Sequence, residues 1–399
     1  MDTLGDGGGS AVVAYRPATG TGFVDLNTAT NYILQKVIGT CDFNFIYKAC
    51  YFTFESILND SILPTGYATV KYIRPGHEVL QSTYAKQSIP NSNIIHVKDW
   101  PIHQFREGFC FAMPYMSEGS LRYILSTRFH YGLPEDCIAI ALKQALLGLS
   151  DLHNSGRVHK CFSAGNIYVN FKPNPVPNVE IKLGFAATIY ESDLETPFVI
   201  EHGVKPGDQI KPPGGPSTPE LCTLAEWAAA PEIFYAKDYY DSDDANLNPA
   251  QPSLLQDDFD YTIKSDIWLV GIAALELAYG NLRISNRGEF EALIKKIKRS
   301  KILPDKLEYL LEEIRVEEGK GKMKKVVGYF KDKLKLVKNK REKKFSKDFE
   351  KLVLDCLSSK PSKRPSVQNL LHRPFFRYAK DLKWFKRRVL HAKNPMPYC

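Results

Sequence analysis

The residue types with the most chemistry of their own are eight cysteines and nine histidines, in a chain of 399 residues. Paired cysteines could close disulfides, and cysteine or histidine pairs about two to five residues apart could hold zinc. Neither chemistry fits the spacing. Cys41, Cys50, Cys110, Cys137, Cys161, Cys222, Cys356 and Cys399 form no CxxC pair and no tight Cys/His cluster, and the histidines include no HExxH. A disulfide scaffold and a zinc module are therefore excluded, and a reducing compartment, the cytoplasm, is expected. Phosphate binding is a third chemistry. Residues 38–49 (IGTCDFNFIYKA) lie between strand-like runs and carry one glycine, Gly39. Taken alone they read better as a plain hairpin than as a phosphate-covering loop.

The elements that must position any such site follow from composition and periodicity. The chain is 44% hydrophobic, 25% charged and 12% aromatic, which are globular values. Its length fits one large bilobal unit or two domains. The start lacks a basic stretch followed by an apolar one, so it does not read as a signal peptide. No run of about 18 apolar residues would span a bilayer. Residues 1–27, rich in Gly, Ala and Thr, read as a flexible lead-in. Strands are expected over 32–48, 66–73, 108–114, 167–169 and 179–183. From Pro134 a helical period sets in, carried by Cys137, Ala141, Leu142, Ala145, Leu149 and Leu152. Residues 203–219 hold five prolines and four glycines and read as an exposed loop. Residues 267–279 form a nearly all-apolar helix that must be buried on all sides, and 349–376 are helical around a basic turn. A small β-rich start followed by a larger helical body is an α+β arrangement.

The formal net charge of +8 is unevenly placed. Residues 295–347 hold 20 Lys and Arg against 8 Asp and Glu, whereas 237–260 hold 7 acids against one lysine. Two insert-like segments concentrate the charge, so overall basicity is no nucleic-acid signal. Aromatics are thin in the basic segment, and Leu307, Leu310, Leu311 and Ile314 look like helix core there.

Six landmarks stand in order along the chain. They are the loop at Gly39; Ala68-Thr69-Val70-Lys71, which resembles VAIK; and His159-Lys160-Cys161-Phe162-Ser163-Ala164-Gly165-Asn166, which resembles HRDxKxxN. The others are Ala230-Pro231-Glu232, an intact APE; Asp266-Ile267-Trp268-Leu269-Val270-Gly271, a DxWxxG; and the late basic turn Lys363-Arg364-Pro365-Ser366. Together they resemble a eukaryotic protein kinase domain over about residues 30–390. The runs MPYMSEGSL, DIWLVGIAALELAYG and KFSKDFEKLVLDCL are similar to the sterile-20 group, in its germinal-centre, Fray/SPAK-like branch and closest to the plant members there. The resemblance implies a bilobal kinase fold, with a small β-rich N-lobe and a larger helical C-lobe. Residues 28–116 would be the N-lobe and hinge, and 117–378 the C-lobe with its acidic (237–260) and basic (295–347) inserts. Residues 379–399 would be a basic C-terminal tail.

Phosphoryl transfer needs magnesium, a lysine on the phosphates and a base on the acceptor hydroxyl. The resemblance makes Lys71 the phosphate lysine, but its usual glutamate partner, expected near Ser82, is missing and Glu78 comes about a turn early. The base position is Cys161, a poor substitute for aspartate, and a small packed residue is the better reading of it than a nucleophile. Ser163 stands where a lysine would meet the transferring phosphate. Asn166 matches a metal ligand. The other, the aspartate of DFG, is replaced in Gly184-Phe185-Ala186-Ala187, and the next acid is Glu191. Asn166 alone holds magnesium poorly. Gly39 remains in the covering loop, with Cys41 and Asn44 at the second and third glycine positions. Pro114 and Met116, after the gatekeeper position Met113, would offer purine a carbonyl and an amide, and a bulky side chain at Ala68 would fill the purine slot. The fold anchors Glu232, Asp266 and Arg364 are intact.

The resulting expectation is a sterile-20-type pseudokinase. No catalytic residue would be intact, and ATP would bind weakly at Gly39, Lys71, Pro114, Met116 and Asn166 without tight magnesium. Its partner would be another protein kinase or a scaffold protein, with nucleic acid not indicated and an acidic membrane surface as a further partner for 295–347. The alternatives are an active or atypical Ser/Thr kinase in which Glu191, Glu78 or an insert acid reaches the site, and a basic surface-binding module.

Overall fold

In the computed structural model the described residues are 22–25, 30–41, 44–59, 63–73, 93–95, 103–105, 108–156, 158–159, 161–173, 178–184, 222–223, 227–233, 262–280, 283–318 and 345–391. The chain divides into two compact units. The first holds the described residues from Gly22 to Ile73 and from Ile95 to Ser117; the second holds Asn93, Ile94 and those from Glu118 onward. Helix and sheet are mixed, with the large sheet in the first unit. The acidic stretch 237–260, residues 319–344, and Glu78, Ser82 and Glu191 lie outside the described residues.

The first unit is a six-stranded antiparallel sheet. Its strands are β1 (Gly22–Asp25), β2 (Thr30–Cys41), β3 (Asn44–Phe52), β4 (Gly66–Ile73), β5 (His103–Phe105) and β6 (Gly108–Pro114), in the order β1-β2-β3-β4-β6-β5. β2 runs on through Gly39, which pairs with Ile46, to Cys41, which pairs with Asn44. Register shifts after Leu34 and Val37 mark a bulged hairpin. Gly22–Asp25, within the stretch read as a lead-in, is a strand that pairs with the start of β2; residues 1–21 lie outside the described residues. Alternation puts Tyr32, Leu34, Ala49, Ala68, Val70 and Ala112 in one buried cluster. A short helix, α1 (Phe54–Leu58), sits in the β3–β4 connection and buries none of its residues.

The second unit is mainly helical. A three-stranded sheet, β7 (Gly119–Ser120), β8 (Ile167–Lys172) and β9 (Asn178–Leu183), carries the central loops. Helix α2 (Leu121–Arg128) starts at Ser120, whose hydroxyl accepts from the amide of Tyr123. Helix α3 (Glu135–Asn154) buries the face foreseen from its period. Helix α4 (Ile263–Tyr279) opens with a capping box between Thr262 and Ser265, and every residue from Ser265 to Tyr279 is buried. It packs against α3 and against α7 (Lys347–Cys356). Gly132 and Gly280 lock the end of α4 to the turn before α3. Both have positive φ, and a Cβ on either would come within 2.1 Å of a backbone oxygen, that of Ala278 or His130.

Helices α5 (Arg287–Ser300) and α6 (Leu307–Glu318) pack together and take up the first part of the basic stretch 295–347. Leu307, Leu311 and Ile314 are buried, while Leu310 is half-buried. The strands β10 (Cys222–Thr223) and β11 (Arg283–Ile284) pair antiparallel. The end of the unit is α8 (Val367–Leu371), α9 (Pro374–Arg377) and α10 (Leu382–Phe385), the last running into a π-helical turn over Lys386–Leu390. The basic tail thus begins as a folded part of the unit.

Candidate functional site

In the second unit the loop before β8 is fixed by an acid at each end of α4. Asp266, buried in the first turn, accepts from the amide of His159 at 2.8 Å and meets His153 Nε2 at 2.8 Å. Glu276, 3% exposed near the other end, accepts from the amide of Ala164 at 2.9 Å and from Arg122 at 3.0 Å. Sequence reasoning singled out Asp266 and passed over Glu276, Arg122 and His153. A signal was present, because a second acid inside an otherwise apolar buried helix must have partners. A buried carboxylate receiving a backbone amide and a guanidinium is well compensated.

The loop itself is short of chemistry. His159 is fully buried; its Nε2 donates to the carbonyl of Gly184 at 2.6 Å and its Nδ1 accepts from the amide of Cys161 at 3.3 Å. Burial pushes the imidazole pKa down, against the opposing pull of the Asp266 carboxylate and the Gly184 carbonyl. Cys161 and Ser163, expected at the base and phosphate-lysine positions, are half-buried. Asn166 ends a single 3₁₀ turn (Ala164–Asn166), and its side-chain amide donates to the carbonyl of Cys161 at 2.8 Å. Its Oδ1 is then the atom left to meet a cation. Among the described residues, no group of three His, Cys, Asp or Glu could hold a metal ion.

Position 184, where the resemblance places a metal aspartate, is sterically crowded. Gly184 follows β9, and its amide donates to the carbonyl of Asn166 at 2.7 Å. A Cβ built on Gly184 would lie 2.5 Å from Cε2 and 3.0 Å from Cδ2 of the Tyr168 ring. The second figure is tighter than ordinary packing, and the first is a clash that requires movement. The aromatic ring of Tyr168 therefore occupies the space that a Cβ at 184 would need.

Of the three expected anchors, Glu232 and Arg364 are brought together, while Asp266 lies at the loop before β8. Arg364, fully buried, forms a bidentate pair with Glu232 at 2.6 and 2.7 Å. It also donates to the carbonyls of Ser358 and Lys264, at 2.8 and 2.9 Å, and lies over Trp268. Ser265 adds a hydrogen bond to Glu232 at 3.1 Å. Arg287 and Trp268 hold the segment before Glu232: Arg287 donates to the carbonyls of Trp227 and Ala229, and Trp268 to that of Ala228. Arg287 was not foreseen.

In the first unit, Lys71 pairs across the sheet with Ile46 and Phe111. Pro114 ends β6 opposite Ala68, and Met116 is buried. Ala68 is 2% exposed and belongs to the core of this unit. The expectation that a large side chain there fills a purine slot is therefore corrected: strand parity puts Ala68 on the core face, and Thr69 on the other. On that other face Lys48 Nζ stands 4.1 Å from the ring centre of Tyr67 and 4.9 Å from that of Tyr115.

No protein-family model matches the chain. Among curated proteins it is 23% identical to the serine/threonine-protein kinase fray2 of Dictyostelium discoideum over 371 residues, 93% of this chain and 28% of that protein. It is 26% identical to the STE20-related kinase adapter protein beta of Mus musculus over 280 residues, 67% of this chain and 57% of the adapter. It is 23% identical to germinal center kinase 3 of Caenorhabditis elegans over 265 residues, 66% of this chain and 33% of that kinase. The chain is similar to sterile-20-family kinases and kinase adapters, at modest identity. It spans less than two thirds of the length of each of these relatives.

Proposed function

We propose that this sterile-20-like domain is a pseudokinase, an allosteric or scaffolding partner of another protein kinase with little or no phosphotransfer of its own. The observation that carries the reading is the Tyr168 ring beside Gly184. Loss of the metal carboxylate is matched by a side chain packed into its place, so the loss belongs to the packing and not to one substituted position. The base position (Cys161) and the phosphate-lysine position (Ser163) lack the groups phosphoryl transfer needs. The anchors that keep a kinase-shaped helical unit folded, Glu232, Asp266 and Arg364, are all engaged. Relatives named as kinase adapters support the same reading.

On this proposal the sheet unit serves as N-lobe and the helical unit as C-lobe of a bilobal kinase fold acting in the cytoplasm. ATP binds weakly through Gly39, Lys71, Pro114, Met116 and Asn166, without tight magnesium. Phosphotransfer and nucleotide thermal shift on the purified chain, with and without magnesium or manganese, test the proposal. No incorporation and a small, metal-independent shift are expected. Robust magnesium-dependent incorporation that Lys71→Met abolishes would overturn the proposal in favour of an active Ser/Thr kinase.

A further inference from the structure

Between Arg377 and His391 the chain places six Lys and Arg against a single acid, Asp381. That acid is already used: its carboxylate caps α10, accepting from the amide of Trp384 at 2.9 Å. Among the described residues no carboxylate forms an ion pair with Arg377, Lys380, Lys383, Lys386, Arg387 or Arg388. Four of the cations lie on aromatic rings instead. Lys380 and Arg387 both lie over Trp384, at 5.9 and 5.3 Å from a ring centre; Lys386 lies over Phe171 at 4.8 Å, and Arg377 over Tyr378 at 5.9 Å.

A cation on a ring face keeps its N–H donors open to an anion, whereas one paired to a carboxylate does not. Three separate rings share these charges, so they form a spread surface and not one convergent pocket. Phe376, Phe385 and Val389 are fully buried beneath it, which fixes the elements that carry the cations. Tyr378, at the edge of the array, is 74% exposed.

We propose that this face, Arg377–Arg388 with Tyr378, docks the domain on an anionic phospholipid bilayer. Distributed cations match the many phosphate and carboxylate headgroups of such a surface, each adding a modest increment of affinity. An amphipathic aromatic side chain such as the exposed Tyr378 suits the headgroup layer, where one end is wet and the other apolar. An acidic protein segment would share the charge but gives an exposed tyrosine at the rim no particular role.

The test is co-sedimentation of the full chain with phosphatidylcholine vesicles, with and without phosphatidylserine. Binding is expected only with phosphatidylserine and should fall steeply with salt. Each cation removed should weaken it about fivefold, so Lys380→Ala, Lys383→Ala and Arg387→Ala together should weaken it about a hundredfold. These exposed positions leave the fold intact, which the melting curve checks; Tyr378→Ser should weaken binding with no change of charge. Alanine substitution of Lys320, Lys322, Lys324 and Lys325, in the basic stretch, should change it far less. Equal binding to neutral vesicles, or phosphatidylserine binding unaltered by the triple variant, would overturn the proposal. So would loss of binding from the 320–325 variant alone, or a poly-glutamate peptide that binds this face more tightly than the vesicles do.

Discussion

Glu232→Ala removes one side of the bidentate pair and leaves the guanidinium of Arg364 buried, with the carbonyls of Ser358 and Lys264 as its remaining oxygen partners. Breaking a buried ion pair from one side costs about 3–5 kcal/mol, because the surviving charge stays desolvated. Glu232 is itself 26% exposed, so water already screens part of the pair and the lower end, about 3 kcal/mol, is the expectation. For a unit of this size that lowers Tm by about 6–12 °C. Arg364→Ala should cost at least as much, since it also strands two carbonyls and removes a large side chain from beside Trp268. Replacing both partners by apolar residues, Glu232→Leu with Arg364→Met, should recover more than half of the single loss, because no charge is then left in the interior. Differential scanning calorimetry of the unmodified chain, the two single variants and the apolar double variant makes the comparison. An unchanged Tm in both single variants would refute the reasoning, and so would a double variant whose loss equals the sum of the singles.

Restoring the base alone by Cys161→Asp should leave phosphotransfer at background, since several charged positions are empty together and act as a unit; robust radiolabel incorporation by that variant would contradict this. Gly184→Asp should destabilise the helical unit by about 1–3 kcal/mol through overpacking against Tyr168, and Tyr168→Leu in the same chain should relieve it; a Gly184→Asp melt equal to that of the unmodified chain would show the ring moves freely. Titration calorimetry should find nucleotide affinity changed less than about tenfold by magnesium, or 1.4 kcal/mol, and a larger gain would reveal a metal ligand missed here. His159 has its pKa lowered by burial, so the unfolded chain takes up a proton first as pH falls through about 6.5. Its contribution to stability is complete above that pH and is lost below it, at up to about 1.4 kcal/mol per pH unit. The urea midpoint should therefore fall less steeply with acid in His159→Asn, and equal slopes in the two proteins would refute this.

Local chemistry was legible without coordinates. The all-apolar run of α4 could only be a buried helix, and the kinase resemblance carried by the Ala230-Pro231-Glu232 triplet and the late arginine implied that Glu232 and Arg364 meet. Periodicity likewise placed α3 and the buried leucines of α6, because one face of a helix is set by residues three and four apart. What lay beyond reach were partners made by chain crossing. Glu276 meets Ala164 and Arg122 across more than a hundred residues, and Tyr168 fills the space beside Gly184 because β8 and β9 pair in one register. The face of β4 that Ala68 occupies followed from the strand's register against its neighbours, which a one-residue shift would reverse. That Gly39 lies within β2, paired with Ile46, was decided by where β2 and β3 pair and bulge. Sequence determined which residues are charged, apolar or absent at each motif. Tertiary structure alone decided which side chain fills the gap an absent residue leaves, because that depends on the packing of strands and helices distant in the chain.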